Sequence, residues 1–334
     1  MSRLRFIAAT VALLVLALLA AAGYAKWWLA QPLPLPASPF AFDVKPGASL
    51  RSVARELTAS GVLARDWPLV ALARFEGVDR AIKAGNYEIA AEITLPALLR
   101  KLTQGDVTQS ALTVVEGATF AELKAQIAAN PEIAHAALDL PDAELMRKIG
   151  APATPPEGWF FPDTYYFAAG SPDTAVLARA YRLMQGRLDA AWERRDPDTP
   201  LRNPYEALIL ASIIEKETGR GEDRPLVGSV FVNRLRNGMR LQTDPTVIYG
   251  LGTAFDGNLR RRDLERDTPF NTYTRDGLPP APIALPGQAS LDAATHPPKT
   301  AYLYFVSRGD GTSEFSTNLT DHNRAVAKFQ KGGR

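Results

Sequence analysis

Two glutamates at the end of one apolar segment are the residues best placed for acid–base chemistry. The segment YEALILASIIEKET, Tyr205 to Thr218, carries Leu208, Ile209, Leu210, Ala211, Ile213 and Ile214, then Glu215, Lys216 and Glu217. Apolar residues on every side of a helical period predict a helix buried in a core. Such a helix delivers its terminal carboxyl groups to the edge of an apolar region. Burial there disfavours the charged form and raises a carboxyl pKa, which keeps a proton available for a leaving oxygen. Residues at i and i+2 lie about 200° apart around a helix, so Glu215 and Glu217 cannot face one site together. That argues against a two-carboxylate glycosidase built from this pair, and at most one of them is the catalyst. Glu217 lies one turn from Ile213 and Ile214, whereas Glu215 lies beside Ala211 and Ser212, which modestly favours Glu217. The competing reading makes both acids solvated helix-end charges, with Glu217 paired to Arg220 for a few tenths of a kcal/mol. Spacing alone leans towards that reading, because glutamates are mostly exposed.

Other polar groups suit sugar binding. Gln242, Thr243 and Asp244 precede Pro245 in a turn, and Asn271, Thr272 and Tyr273 form a second polar loop. Amides, hydroxyls and a tyrosine ring match sugar hydroxyls, N-acetyl groups and ring faces. Asp244 could equally cap a helix beginning at Pro245. Glu157, in the aromatic segment EGWFFPDTYYF, and Glu215 are further supporting candidates. Ser212 and Lys216 stand at i and i+4, but without an SxxK or GxSxG element a serine hydrolase is a weak reading. Cysteine is absent, and His135, His296 and His322 lie far apart. No metal site and no cofactor are therefore expected. A net charge of +2, with both signs well mixed, leaves no electrostatic footprint for nucleic acid.

At 334 residues the chain exceeds a usual single domain. Two segments read alike, FDVKPGASLRSVARELTASG (Phe42 to Gly61) and LTVVEGATFAELKAQIAAN (Leu112 to Asn130). Each is a β-prone run, a cap at Ser49 or Thr119, and an amphipathic helix. After the first come a helix at Trp67 to Phe75, a strand at Gly85 to Ile89 and a helix at Leu95 to Leu102. This predicts an α+β module over residues 41–108. Its strand–helix–helix–strand order resembles a LysM-type glycan-binding module, and it equally suits a small spacer domain. Residues 109–334 are expected to form a helix-rich α+β catalytic domain, with helices near Asp173–Arg194, Tyr205–Thr218 and Asp223–Asn237.

The N-terminus predicts a membrane anchor. Phe6 to Ala25 is an uncharged run, and about 20 residues span a hydrocarbon core. Arg3 and Arg5 precede it, while Tyr24, Trp27 and Trp28 suit the far interface. The excess of positive charge keeps residues 1–5 cytoplasmic, makes 6–28 a single-pass span of the inner membrane, and places the remainder in the periplasm. The competing reading is a cleaved signal peptide, for which the run is long. QPLPLPASPF, within 29–40, reads as a stiff spacer lifting the domain off the membrane.

Several segments carry a family resemblance. ASIIEKET, SVFVNRLRNGMRLQTDPTVIYG, NTYTRDGLPP and HPPKTAYLYFV occur in order and resemble the signature of the endolytic murein transglycosylase (YceG-like) family, over about Glu157 to Asn323. The resemblance implies a catalytic glutamate in the Tyr205–Thr218 helix. Glu217–Thr218 looks like the Glu–Ser of other lytic transglycosylases, which points to Glu217. It further implies a lyase that cuts peptidoglycan glycan strands without water and leaves 1,6-anhydro-N-acetylmuramic acid ends. Penicillin-binding proteins of wall synthesis are expected partners at the family level only. The rival from another class is a non-catalytic, membrane-anchored scaffold that binds peptidoglycan.

Overall fold

The computed structural model describes residues 2–45, 47–105, 109–151 and 155–330. Its chain forms two compact units, Met1–Ser110 with Phe167–Ser171, and Ala111–Tyr166 with Pro172–Arg334. The module boundary expected at Thr108 falls in 106–108, outside the described residues.

The first unit runs α1 (Ser2–Leu29), β1 (Phe40–Val44), α2 (Leu50–Ala59), α3 (Trp67–Phe75), β2 (Gly85–Ile89) and α4 (Leu95–Gln104). β1 and β2 pair antiparallel with Phe42 opposite Tyr87, so α2 and α3 lie between paired strands in the order read from sequence. Ser49 starts α2 by accepting the Ser52 N–H at 3.2 Å, as N-cap preference requires. Leu50, Val53, Ala54 and Leu57 then turn one stripe inward, onto Leu69, Ala73, Tyr87, Ile89 and Leu98.

Helix α1 takes in the whole Phe6–Ala25 run. Among the described residues no helix is long and apolar enough to cross a membrane, so the anchor rests on the sequence of the run. The proline-rich stretch departs from the expected spacer. Leu33 donates its N–H to Ile93 O at 2.8 Å, Pro32 bridges Thr94, and Leu29, Leu33 and Leu35 pack on the module core. Prolines favour extended backbone, but the leucines alternating with them are apolar and bury themselves on the neighbouring core instead of standing off in water.

The chain continues with β3 (Gln109–Thr113), α5 (Phe120–Ala128), β4 (Ile133–Ala134), α6 (Asp142–Lys148), β5 (Thr164–Ala168) and β6 (Ser171–Pro172), of which α5, β4 and α6 lie wholly in the second unit. Then follow α7 (Asp173–Glu193), α8 (Pro204–Glu217), α9 (Arg224–Arg236), α10 (Asp244–Leu251), α11 (Arg261–Glu265) and α12 (Gln288–Thr295). The hairpin β7 (Tyr304–Ser307) and β8 (Ser313–Ser316) and helix α13 (Leu319–Phe329) close the chain. Among the described residues each sheet has two strands, and helices make up most of the core: the fold is helix-rich α+β.

Helix α8 is the axis of this unit. Asn203 caps it through the Glu206 N–H at 3.0 Å, and Pro204 fits its first turn, where an N–H would have no helical partner. From Ala207 to Ile214 no residue is more than 4% exposed, as the all-round apolar pattern demands. Met184 and Leu188 of α7, Val227 and Phe231 of α9, and Leu291 and Ala294 of α12 surround it. The α9–α12 crossing needs Gly228, because a Cβ there would lie 2.3 Å from Ala293 O.

Candidate active site

Helix α8 stops at Glu217. Thr218 leaves helical conformation at φ −96°, ψ 108°, and its hydroxyl donates to Ile214 O at 2.7 Å. The buried helix therefore ends with a carboxyl group at the lip of the core, as the sequence pattern implied.

The two glutamates have different surroundings. Glu215 is 8% exposed and pairs with the Arg224 guanidinium at 3.0 Å. Its second oxygen accepts the Gly287 N–H at 2.9 Å and the Ser290 hydroxyl at 2.7 Å. Glu215 thus ties α8 to α9 and to the start of α12, with both oxygens occupied. Neither the solvated helix-end reading nor a share in the chemistry fits this environment. A supporting role survives only as architecture.

Glu217 is partly exposed, and Thr243 donates its hydroxyl to Oε1. Burial raises its pKa from 4.5 to about 7, the Thr243 hydrogen bond opposes that shift, and the Asp244 charge adds to it. Glu217 and Arg220 form no ion pair among the described residues. A carboxyl titrating near neutrality can hold a proton before bond cleavage and take one back afterwards.

The two polar loops meet beside it. Thr243, 2% exposed, accepts the Thr246 hydroxyl at its carbonyl oxygen at 2.7 Å and donates its N–H to the Thr272 hydroxyl at 3.1 Å. Gln242 adopts φ 52°, a left-handed backbone rare for a side chain of its size, and its N–H donates to Thr272 O at 3.2 Å. Helix α10 begins at Asp244 with Thr243 at the cap position, so Asp244 is the first helical residue and not the cap. Its carboxylate instead accepts the Tyr273 hydroxyl at 2.6 Å. Asn271 departs from its expected sugar-binding role. It is fully buried, its amide donates to Leu264 O and Arg266 O at 2.9 and 2.7 Å, and its oxygen accepts the Tyr273 N–H at 2.8 Å. Asn271 shapes the loop that presents Tyr273.

Glu217, Gln242, Asp244 and Tyr273 line one cleft of about 590 Å³ with Arg234, Tyr304 and His322. The last three carry no signal from spacing. Arg234 and Tyr304 lie inside the quoted motifs, and nothing in the sequence around His322 sets it apart. Arg234 is 7% exposed. It donates to Leu303 O, Arg240 O and Leu241 O at 2.7, 3.0 and 2.9 Å and lies over the Tyr304 ring at 5.0 Å. His322 stacks on Tyr304 at 5.1 Å between centroids. Burial, and then the Arg234 charge, push its pKa down, which favours the neutral ring. Sugar rings favour this mixture of aromatic faces and fixed polar groups.

Glu157 lies outside the cleft lining. It is 7% exposed and accepts the Phe120 N–H at 3.0 Å and the Tyr249 hydroxyl at 3.1 Å. Burial first raises its pKa to about 7, against those hydrogen bonds. It caps the start of α5, so it supports the fold more directly than the cleft.

The sequence pattern of the YceG-like family matches residues 42–328, which takes in the first-unit module as well as α8. An endolytic murein transglycosylase of Bacillus subtilis (strain 168) is 33% identical over 306 residues, 86% of this chain and 84% of that protein. One from Streptococcus pneumoniae serotype 2 is 25% identical over 95% of this chain, which spans 64% of its length. The 2.6 Å crystal structure of a yceG-like protein from Listeria monocytogenes has 27% identity and a TM-score of 0.55, covering 86% of this chain and 98% of its own. With the family pattern running through both units, the chain belongs to the YceG-like family of endolytic murein transglycosylases.

Proposed function

We propose that this chain is a lytic transglycosylase that cuts peptidoglycan glycan strands internally, between N-acetylmuramic acid and N-acetylglucosamine. The observation that carries the proposal is Glu217, a carboxyl group with a pKa of about 7 in a polar, aromatic cleft. In the first half-reaction Glu217 donates its proton to the glycosidic oxygen as the bond to C1 breaks through an oxocarbenium-like state. In the second the Glu217 carboxylate accepts the proton of the muramic C6 hydroxyl, whose oxygen bonds to C1 and closes the 1,6-anhydro ring. Protons balance on one residue, and no water is consumed. The Thr243 hydroxyl holds Oε1 while the group changes charge. The Tyr273–Asp244 pair offers a ring and a carboxylate to the sugar beside it.

Asp244 favours a second reading, since a further carboxylate in the cleft could activate water for hydrolysis. Digestion of purified peptidoglycan, followed by mass spectrometry, separates the readings. Anhydro ends support transglycosylation, reducing ends support hydrolysis, and intact strands support the non-catalytic scaffold.

The Phe6–Ala25 run supports an inner-membrane anchor with the two units in the periplasm. Within it Leu13, Leu14, Leu16, Leu18 and Leu19 are 57–70% exposed, an apolar surface that water disfavours and lipid accepts. The β1–α2–α3–β2 order supports the LysM-like reading of the module. Penicillin-binding proteins remain the expected partners in wall synthesis.

A further inference from the structure

Helix α3 turns two large aromatic side chains outward. Trp67, its first residue, is 60% exposed and Phe75, its last, is 91% exposed, while Leu69 and Ala73 are fully buried in the module core. Ala71 and Arg74 are exposed between them. Arg51 and Arg65 are exposed as well, and Arg51, Trp67 and Arg74 line one shallow depression with a single carboxylate, Asp66. None of these three arginines makes an ion pair among the described residues. Aromatic rings left in water beside an excess of cations, three arginines to one carboxylate, mark a surface that has an apolar, anionic counterpart.

Position indicates the counterpart. Trp67 and Pro68 line an apolar cavity of about 590 Å³ together with Tyr24, Trp28, Pro32 and Leu63. The start of α3 therefore lies beside the last turns of α1, and the Leu33–Ile93 and Pro32–Thr94 contacts keep it there. Tyr24, Trp27 and Trp28 are themselves 65%, 58% and 43% exposed, a cluster that suits the level of lipid headgroups.

We propose that the outer face of α3 rests on the surface of the membrane that α1 enters, with Trp67 and Phe75 in the interfacial layer and Arg51, Arg65 and Arg74 against anionic headgroups. The inference rests on the anchor reading above. Aromatic rings partition to the interface, and each basic residue near an anionic leaflet adds attraction. Attachment through α1 holds the face at high effective concentration, so weak intrinsic affinity suffices. A glycan strand could also stack on the rings, but continuity with α1 and three arginines without ion pairs among the described residues favour lipid.

The chain has no cysteine, so single labels are clean. Full-length Ala71→Cys, Ala30→Cys and Glu88→Cys, each carrying a fluorophore, are reconstituted into phosphatidylglycerol vesicles containing a headgroup-nitroxide lipid. Ala71 reports the α3 face, Ala30 the end of α1, and Glu88 the outer side of β2, between the inward Tyr87 and Ile89. Quenching at positions 30 and 71 should exceed that at 88 by about threefold or more. Trp67→Ser with Phe75→Ser, or phosphatidylcholine in place of phosphatidylglycerol, should reduce it at 71 and leave 30 unchanged. Quenching at 30 alone overturns the surface contact and leaves the anchor standing. Quenching at neither position overturns the anchor, and the contact with it. Loss of quenching at 71 when soluble glycan strands are added assigns the face to sugar and overturns the proposal.

Discussion

Thr243 and Glu217 are joined by a hydrogen bond from the threonine hydroxyl to the carboxyl Oε1. Thr243 is itself held, through its N–H, by Thr272, and Thr272 belongs to the loop that Asn271 shapes. Two polar loops about thirty residues apart in sequence thus converge on one oxygen of one helix-terminal acid. In the proposed mechanism this convergence orients the group that gives a proton and then takes one.

Glu217→Gln keeps the size of the side chain and removes the transferable proton. Both half-reactions depend on that proton, so formation of anhydro ends should fall by about 10²-fold or more. Melting temperature should stay level or rise near neutral pH, because the half-buried site no longer holds an ionisable group that is unfavourable to bury. Anhydro-muropeptide yield and thermal unfolding, measured on one preparation, check both. Undiminished yield removes Glu217 from the chemistry.

Glu215→Gln acts through the fold. The substitution leaves the Arg224 guanidinium with only its longer, 3.9 Å pairing to Glu116 and replaces a charged acceptor of Gly287 and Ser290 by an amide. Breaking a buried pair from one side costs about 3–5 kcal/mol when the remaining charge has no other partner; with Glu116 still near Arg224 the loss should be smaller, but the melting temperature should still fall. Protein that remains folded should still produce anhydro ends. A variant with parental stability and no activity would reverse the roles of the two glutamates.

The anchor is tested by topology. Alkaline phosphatase fused after Phe40 should be active, and the mature N-terminus should begin at Met1 or Ser2. A mature protein beginning near Lys26 makes the run a cleaved signal peptide.

Periodicity made α8 legible, because apolar residues on every side admit only a buried helix, and the i, i+2 offset already separated Glu215 from Glu217. Caps made α2 and α5 legible, since Ser49 and Thr119 accept N–H groups as local chemistry requires. What stayed hidden depends on contacts distant in sequence. The partners of Glu215 lie 9, 72 and 75 residues away, and Arg234 and His322 join the cleft only when α9 meets the hairpin and α13. Asn271 misled for the same reason. Its residue type suits a sugar, but whether its amide faces substrate or backbone is decided by where Leu264 and Arg266 fall.

The pH profile is the sharpest test of the site. Glu217 acts as an acid only when protonated, and its pKa is raised to about 7. Cleavage should therefore be sustained below that value and decline above it, by about tenfold per pH unit for a single ionisation. Thr243→Val removes a hydrogen bond that lowers this pKa, so the decline should move to higher pH. Asp244→Asn removes a charge that raises it, so the decline should move to lower pH. Stability carries the same signature. Between 4.5 and about 7 folded Glu217 keeps a proton that the unfolded chain has released, so stability falls as pH rises through that window. Glu157, also raised to about 7, adds a second contribution of the same sign. Glu217→Gln should match the parent in thermal stability below pH 4.5, gain on it through the window, and hold a constant advantage above about 7. An advantage independent of pH, with unshifted profiles in both neighbouring variants, means that Glu217 does not titrate near neutrality and cannot be the acid.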